Sequence, residues 1–302
     1  MDDSIKLRTK GELALLATTL IWGTSFVFAK ILLVDVSPIL YLILRSLIAS
    51  IVFLILFPKE ILRTKDVNSI KNGFILGILL SLGLTLQNHG LQLTTASKSA
   101  FLTSLMVIFT PIFQVIILKK KPTQSNIIGI FIVLIGSYFL TMPTSANFNF
   151  GDLLNIIAAI LFGLYTVMLD KYSRGKSAIR LSFYQIFSCF LIGIIFIPFE
   201  KIVFNYSTSI LINLLYLSIL TTVVALWIQT EFQKYTTPSK AAVIFSIEPV
   251  IATIAATYFL SESFTTKEIY GAVFILFGIL FSEIGEGLLN YVKLNYSSKS
   301  NV

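Results

Sequence analysis

Ten long apolar segments, separated by short polar connections, dominate the sequence. A hydrocarbon core of about 30 Å requires roughly 20 apolar residues in a helix, and the segments have about that length. Helices are favoured because a helix satisfies its backbone polar groups internally, and the sequence lacks the short alternating segments of a membrane barrel. The predicted spans are 12–34, 38–57, 72–93, 96–118, 124–142, 151–169, 180–199, 209–230, 239–260 and 267–286.

The positive charges of the connections predict the orientation of these spans. Eighteen of the 23 Lys and Arg residues fall in the N-terminal segment, the C-terminal segment and every second connection. The opposite connections hold Lys98, Lys201 and Lys267, and the remaining two, Lys30 and Arg45, lie within spans. Cytoplasmic connections of membrane proteins carry the excess of Lys and Arg. We therefore predict an all-α, multi-pass protein of the cytoplasmic membrane with both termini in the cytoplasm.

Composition excludes several other classes. The chain is 56% hydrophobic and 13% charged, whereas a soluble domain carries about 25% charged residues. The net charge of +8 lies in connections between apolar spans, so we expect no nucleic-acid partner. The single cysteine, Cys189, excludes a disulfide framework. The first span is longer than a signal-peptide core and lacks a small-residue cleavage site, so we interpret it as a retained helix.

An internal repeat divides the chain. The segment Thr94–Ala100 recurs as Thr236–Ala242 at an offset of 142, with Ser-Lys at the same place in both copies. The same offset relates Gln87 to Gln229, Gly129 to Gly271 and Gly136 to Gly278, and an offset of 140 relates Trp22-Gly23 to Phe162-Gly163. We predict a first five-helix repeat over 1–143, a second over 144–290, a polar joining stretch over 143–150 and a polar cytoplasmic tail over 291–302.

The odd number of spans in each repeat has a geometric consequence. The second copy must enter the membrane from the side opposite to the first, so the fold is predicted to be ten transmembrane helices in two inverted five-helix repeats. Several secondary-transporter folds share this arrangement, with a solute site near the midplane between the repeats.

A set of short motifs also carries a family resemblance. They are Trp22-Gly23-Thr24-Ser25-Phe26, Arg45, Pro111, Ser246-Ile247-Glu248-Pro249-Val250 and Leu260-Ser261-Glu262. In this order, within a duplicated chain, they resemble the EamA-type branch of the drug/metabolite transporter superfamily. The resemblance implies a secondary carrier, often an exporter, for metabolites such as amino acids or nucleosides.

Two ionisable residues lie within the spans and are candidates for the solute pathway. An ionised group at mid-depth is expensive and usually faces protein or water. Glu248 is interpreted as a proton carrier, as a ligand for a cationic substrate group, or as a structural partner of Arg45 or Lys30. Arg45 offers a planar fork of donors to an anionic substrate group, or it pairs with Glu248 or a backbone carbonyl and fixes helix packing.

Further polar and aromatic residues complete the predicted pathway. Gln87 and Gln229 form either a symmetric pair across the substrate site or ordinary interhelical hydrogen bonds. His89, the only histidine, has either a proton role or a hydrogen bond to a neighbour. Of the aromatic residues Trp22, Trp227, Tyr165 and Phe162, we single out Trp22 for stacking on a solute, and Ser25 follows it in the same motif.

The fourth and ninth spans carry the remaining candidates. Ser99, Thr103, Thr110 and Gln114 fall on one face of an ideal helix and either line an aqueous cavity or pack helices closely. Pro111 and Pro249 each interrupt a helical hydrogen bond, and paired interruptions point to a binding region, although each is also explained as a fixed kink.

The alternatives to a carrier are a membrane-embedded enzyme and a channel. The sequence has no H-E-x-x-H, G-x-S-x-G or P-loop motif, so we expect no enzymatic activity, cofactor or metal. The inverted repeat favours a carrier over a channel. We predict alternating-access transport of a small organic solute, with lipid and protons, as a coupling ion, among its partners.

Overall fold

The computed structural model describes residues 3–62, 66–141, 148–262 and 266–299, and these residues form helices without strands. Most of the predicted joining stretch lies in 142–147, outside the described residues. The helices are α1 Asp3–Leu32, α2 Pro38–Leu56, α3 Pro58–Leu62, α4 Val67–Leu93, α5 Ala96–Ser104, α6 Met106–Leu118, α7 Gln124–Thr141, α8 Phe150–Ser173, α9 Ala178–Phe196, α10 Thr208–Ser218, α11 Ala225–Phe232, α12 Pro238–Phe245, α13 Glu248–Leu260 and α14 Thr266–Lys299.

The helices are those of a multi-pass membrane protein. Among the described residues, eight helical stretches are long and apolar enough to cross a bilayer, and shorter apolar stretches occupy Gln124–Phe139 and Ile269–Ser282. Large apolar side chains such as Ile55, Phe131 and Tyr258 are exposed, as expected for helices that face a lipid bilayer. The predicted all-helical membrane fold is confirmed, whereas the count of ten spans stays a prediction.

Two of the spans are broken at their middle. Helix α5 ends at Ser104 and α6 begins at Met106, while α12 ends at Phe245 and α13 begins at Glu248. Pro249 lies in the first turn of α13, where a missing N–H costs nothing and the ring prevents α12 from continuing. Pro111 lies inside α6. The breaks therefore fall at equivalent repeat positions, although the two prolines do not.

A third irregularity lies between α10 and α11. Residues Ile219–Val224 form a π-helical segment, whose turns are wider than those of an α-helix. Thr221 and Thr222 of this segment are both buried, and each donates its hydroxyl to the carbonyl of Leu217. The wide turn thereby presents two consecutive hydroxyl oxygens to the same neighbouring helix, α2.

Helices α7 and α14 pack closely because glycines bring their backbones into contact. A Cβ at Gly129 would lie 2.7 Å from the carbonyl oxygen of Gly278, and a Cβ at Gly136 would lie 2.7 Å from that of Gly271. Only glycine allows the two backbones to approach this closely. Because Gly271 and Gly278 are the repeat equivalents of Gly129 and Gly136, the two contacts are reciprocal.

Candidate functional site

A cavity of about 100 Å³ lies between the helices. Its wall is mostly apolar, with a few polar groups. The lining residues are Trp22, Ser25, Phe26, Arg45, Leu80, Leu84, Gln87, Thr103, Met106, Phe162, Tyr165, Thr166, Thr221, Thr222, Leu226, Gln229, Phe245 and Glu248.

The lining follows the internal repeat. Sixteen of the eighteen lining residues form eight pairs at offsets of 140 or 142, and only Arg45 and Thr221 have no partner in the lining. Each half of the chain therefore contributes equivalent positions to the cavity wall, although the residue types differ in most pairs. The pairs are Trp22 with Phe162, Ser25 with Tyr165, Phe26 with Thr166, Leu80 with Thr222, Leu84 with Leu226, Gln87 with Gln229, Thr103 with Phe245 and Met106 with Glu248.

The structure brings most of the sequence-predicted candidates together. The cavity is lined by Trp22, Ser25, Arg45, Gln87, Thr103, Gln229 and Glu248. The candidates outside the lining are His89, Thr110, Pro111 and Pro249.

Among the described residues, Glu248 is the only carboxylate that lines the cavity. It is half-buried in the first turn of α13, where the positive end of the helix dipole favours a negative charge. Within the described ranges its carboxylate has no hydrogen bond and no ion pair with another side chain, Arg45 and Lys30 included. Lys30 instead donates to the carbonyls of Leu91, Gln92 and Thr94. The carboxylate is therefore available to a solute or a proton.

Arg45 enters the cavity from α2 with hydroxyl groups around its guanidinium. Nη1 donates to the Tyr41 hydroxyl at 3.1 Å, Nη2 donates to Thr221 Oγ1 at 3.1 Å, and Nε donates to Thr222 Oγ1. The residue is 9% exposed, and the described part of the chain offers it no carboxylate partner. Its partners are hydroxyls, in place of the Glu248 or backbone carbonyl that we expected from the sequence. The π-helical turn thus holds a buried positive charge with neutral ligands.

The two glutamines lie on the cavity wall with unequal partners. Gln87 Nε2 donates to Thr103 Oγ1 at 3.3 Å. Gln229 donates to Gln233 Oε1 at 3.0 Å and accepts from the Tyr165 hydroxyl at 3.4 Å. Gln87 is partly exposed to the cavity, whereas Gln229 is 2% exposed. Both glutamines line the cavity, as a symmetric pair at a substrate site would, and both also make hydrogen bonds within the protein. Gln87 is the more accessible to a solute.

His89 lies outside the cavity, in an interhelical contact. Its Nδ1 lies 2.7 Å from the Thr85 carbonyl oxygen and its Nε2 lies 3.0 Å from Glu200 Oε1. Glu200 Oε2 also accepts from the backbone N–H of Ile39 at the start of α2. Both ring nitrogens therefore lie within hydrogen-bonding distance of acceptor oxygens of the protein.

The hydroxyl stripe of the fourth span contributes one residue to the cavity, Thr103. Ser99 donates to Asn155 Oδ1 at 2.7 Å, and Gln114 Oε1 accepts from the Ser239 hydroxyl at 2.9 Å. Thr110 is fully buried and donates to the Met106 carbonyl. Helix packing therefore explains three of the four, since the break at Leu105 separates the face of α5 from that of α6.

Aromatic rings from both halves of the chain form part of the wall. Trp22 donates from Nε1 to the Thr221 carbonyl at 2.9 Å, and its ring lies 5.6 Å from that of Phe245. Phe162 and Tyr165 also line the cavity, whereas Trp227 does not. The repeat offset that relates Phe162 to Trp22 was the signal that could have selected Phe162 from the sequence. The paired hydroxyls of Thr221 and Thr222 were missed, because a π-helical turn has no simple sequence signature.

Comparison with known proteins decides the family. The model of the EamA-like transporter family matches the chain twice, over residues 9–142 and 149–283. The chain belongs to the EamA-like transporter family. The resemblance seen in the sequence is thereby confirmed, and family membership favours a transporter over an enzyme. We refer to 9–142 and 149–283 as the first and second EamA-like regions.

Named relatives and a solved structure agree with this family. An uncharacterised transporter of Archaeoglobus fulgidus is 34% identical over 273 residues, covering 90% of this chain and 85% of its own. The uncharacterised transporter YoaV of Bacillus subtilis is 26% identical, covering 89% of this chain and 95% of its own. A protein of known crystal structure matches with a TM-score of 0.76 at 16% identity, over 93% of this chain and 99% of that one, which shows the shared fold.

Proposed function

We propose that this protein is a secondary transporter that moves a small organic metabolite, such as an amino acid or a nucleoside, across the cytoplasmic membrane by alternating access. The observation that carries the proposal is the paired lining of the cavity. A cavity built from equivalent surfaces of two regions lies where the regions meet, which is where carriers of this architecture bind their solute.

The proposed architecture is ten transmembrane helices in two inverted repeats, over 1–143 and 144–290, with a tail over 291–302 and both termini in the cytoplasm. Reciprocal packing supports it. A Cβ at Gly23 would meet Ile251 and the carbonyl of Glu248, and a Cβ at Gly163 would meet Phe109 and the carbonyl of Met106. These contacts are repeat equivalents, and such reciprocal contacts are typical of halves related by a two-fold axis.

The polar groups of the cavity support a solute with separate charged or polar ends. In the proposed mechanism Arg45 receives an anionic group and Glu248 receives a cationic group or a proton. Gln87 and Thr103 orient the solute by hydrogen bonding, and Trp22, Ser25 and Gln229 complete the wall. Mostly apolar walls with a few placed polar groups are usual for such sites.

Export and proton coupling are the finer parts of the proposal. A membrane-embedded carboxylate without a protein partner is a typical proton carrier, and Glu248 meets that description among the described residues. In this mechanism a proton and the solute bind Glu248 alternately, so that an inward proton gradient drives the solute outwards. The helix breaks beside Pro249 and upstream of Pro111 fall at equivalent positions of the two regions, which supports a binding region between the half-helices.

Reconstitution into liposomes tests the proposal. Labelled amino acids, nucleosides and vitamins are presented to the protein with and without a pH gradient, and Glu248→Met serves as the matched variant that should have lower flux. We expect saturable flux of one solute class that changes with the gradient. Flux that does not saturate would indicate a channel, and product formation from a solute or lipid would indicate an enzyme; either result overturns the proposal.

A further inference from the structure

Two ion pairs join the first EamA-like region to the second. Lys98, at the start of α5, lies with its Nζ 2.6 Å from Oδ2 of Asp152 in the first turn of α8. Lys240, at the start of α12, lies with its Nζ 3.8 Å from Oε1 of Glu12 in α1. Each pair therefore links one lysine and one carboxylate that belong to different regions.

The two pairs are repeat equivalents. Lys240 follows Lys98 by 142 residues, and Asp152 follows Glu12 by 140 residues, the same offsets that relate the cavity residues. The roles of the regions are exchanged between the two pairs. The first region contributes the lysine of one pair and the carboxylate of the other. Such an exchange is the expected result of a two-fold axis that passes between the regions.

The pairs lie at opposite faces of the helix bundle. Glu12 lies near the start of α1, so the pair with Lys240 lies at the face where α1 begins. Lys98 directly follows α4, whose last carbonyls accept hydrogen bonds from Lys30 near the end of α1. The pair with Asp152 therefore lies at the face where α1 ends. The cavity, which contains Trp22 and Ser25 of the same helix, lies between them.

The pairs differ in closeness and burial. The side chain of Asp152 is fully buried, and its Oδ2 also accepts from the backbone N–H of Asn149, which fixes the carboxylate at the start of α8. The side chain of Glu12 is 16% exposed and is shared with Arg8 at 2.8 Å and with the Thr236 hydroxyl at 3.2 Å. The Lys98 pair is thus the tighter contact, and the Lys240 pair is the looser one.

We propose that these pairs are two equivalent latches that close the solute pathway at opposite faces and open in alternation. This inference rests on the proposed transport function. With the regions rocking about their common axis, separation at one face is coupled to approach at the other, so only one of the two lysine–carboxylate pairs can be tight at a time. The structure corresponds to a state in which the Lys98 latch is closed. A ligand or substitution that favours one of two states shifts the population between them.

Accessibility of the cavity from each face tests the latches. Ser25→Cys in a Cys189→Ala background supplies a single thiol in the cavity wall, and a membrane-impermeant thiol reagent is applied to sealed vesicles of either orientation. Lys98→Gln should raise the labelling rate from the face where α1 ends, and Lys240→Gln should raise it from the face where α1 begins, each on the order of tenfold. The charge-exchanged double variant Lys98→Asp with Asp152→Lys should return the rate towards that of the parent.

A matched control separates a latch from any loss of charge. Arg174 pairs with Asp170 at 2.9 Å inside the second region, so Arg174→Gln should change neither rate. Equal changes from one face in both lysine variants, or no change in either, would overturn the inference. If a single variant fails to insert, the charge-exchanged variant decides: failure to recover overturns the latch. Solute flux by the unmodified protein is measured in parallel, because flux with unaltered labelling rejects only the latches, whereas absence of flux rejects the transport function itself.

Discussion

Helices α5 and α6 separate at Leu105, and helices α12 and α13 separate at Ser246 and Ile247, the equivalent position 142 residues later. Each break packs against a glycine of the other region, Gly163 for the first and Gly23 for the second. The backbone design of the two broken spans is therefore shared. The residue that starts the second half-helix is not, because Met106 occupies the place in the first span that Glu248 occupies in the second.

The charged groups of the cavity lie at positions where the two repeats differ. Both residues line the cavity at the positive end of a half-helix, yet one copy carries a thioether and the other a carboxylate. Arg45 shows the same asymmetry, since its equivalent at an offset of 140 is Gln185, which accepts from Tyr165 at 2.7 Å and does not line the cavity. The repeat therefore accounts for the backbone of the cavity wall, whereas its two charged groups, Arg45 and Glu248, each occur in one repeat only.

We expect the largest effect on transport from a substitution that gives both broken spans the same residue at the start of the second half-helix. Glu248→Met copies the first span into the second and removes the only carboxylate that lines the cavity. Uptake should fall about tenfold to a hundredfold, since hydrogen bonds to charged groups contribute roughly 1.5–3 kcal/mol. Initial flux in liposomes measures it, and Met106→Leu is the control that should keep the parental rate. Parental flux in Glu248→Met would remove Glu248 from the mechanism, and recovery upon adding Met106→Glu would show that either copy can carry the charge.

We expect a smaller loss of transport from replacing Arg45 of α2 by glutamine, the residue at the equivalent position of the second region. Arg45→Gln removes the guanidinium and leaves the Thr221 and Thr222 hydroxyls without its donors, so KM for an anionic solute should rise about tenfold. Arg45→Lys keeps the charge but not the fork, and should give an intermediate KM. KM is taken from the concentration dependence of flux. A rise in KM that is equal for neutral and anionic solutes would argue against an anion subsite.

The sequence predicts the helical spans and the internal repeat better than it predicts the positions of the helix breaks. Apolar length is a local property, so the helical spans and the repeat were predictable. Polar turns extend some helices beyond the predicted bounds, by 5 residues at the start of α4, 9 at the start of α1 and 13 at the end of α14. The breaks were assigned to Pro111 and Pro249, but they lie at Leu105 and before Pro249. Backbone breaks depend on packing against the opposite glycine, which no single span encodes.

The cavity was partly predictable for the same reason. Trp22, Gln87 and Glu248 were selected because they depart from an apolar background or recur at the repeat offset. Thr110 has the same composition signal but is buried beside Gly163, and His89 lies against Glu200. Distinguishing a cavity wall from a helix interface requires the neighbouring helices, so the site residues remain predictions until they are tested by flux.

The glycines at the two breaks should differ in their tolerance of a methyl group. A Cβ at Gly23 would lie 2.5 Å from Ile251 Cβ, whereas a Cβ at Gly163 would lie 3.0 Å from Phe109 Cβ. Gly23→Ala should therefore lower the thermal stability more than Gly163→Ala, with overpacking typically costing roughly 1–3 kcal/mol. Thermal melts of the purified variants in one detergent measure the difference. Equal stability of the two variants would show that the second break has no tighter contact than the first.

The smallest effect concerns contacts between the polar connections of the two regions. At one face Asp66 pairs with Lys176 at 3.0 Å, and at the other the Asn205 amide donates to Asp35 at 3.1 Å. Hydrogen bonds from Ser69, and then from Lys176, lower the pKa of Asp66 from 3.8 to about 2. A carboxyl whose pKa is lowered by folding stabilises the protein above its unfolded pKa, and that contribution is lost as the pH falls towards the folded pKa.

The melting temperature of the parent should therefore exceed that of Asp66→Asn by a small, constant amount above about pH 5, because exposed pairs contribute little. The difference should shrink as the pH falls from about 4 to about 2, as the carboxyl of the parent becomes protonated. Asn205→Ala, at the opposite face, removes a neutral donor and should show no such pH dependence of its own. A difference between parent and Asp66→Asn that persisted at pH 2 would mean that the Asn side chain disturbs the start of α4 by itself, and that the charge of Asp66 does not distinguish one face from the other.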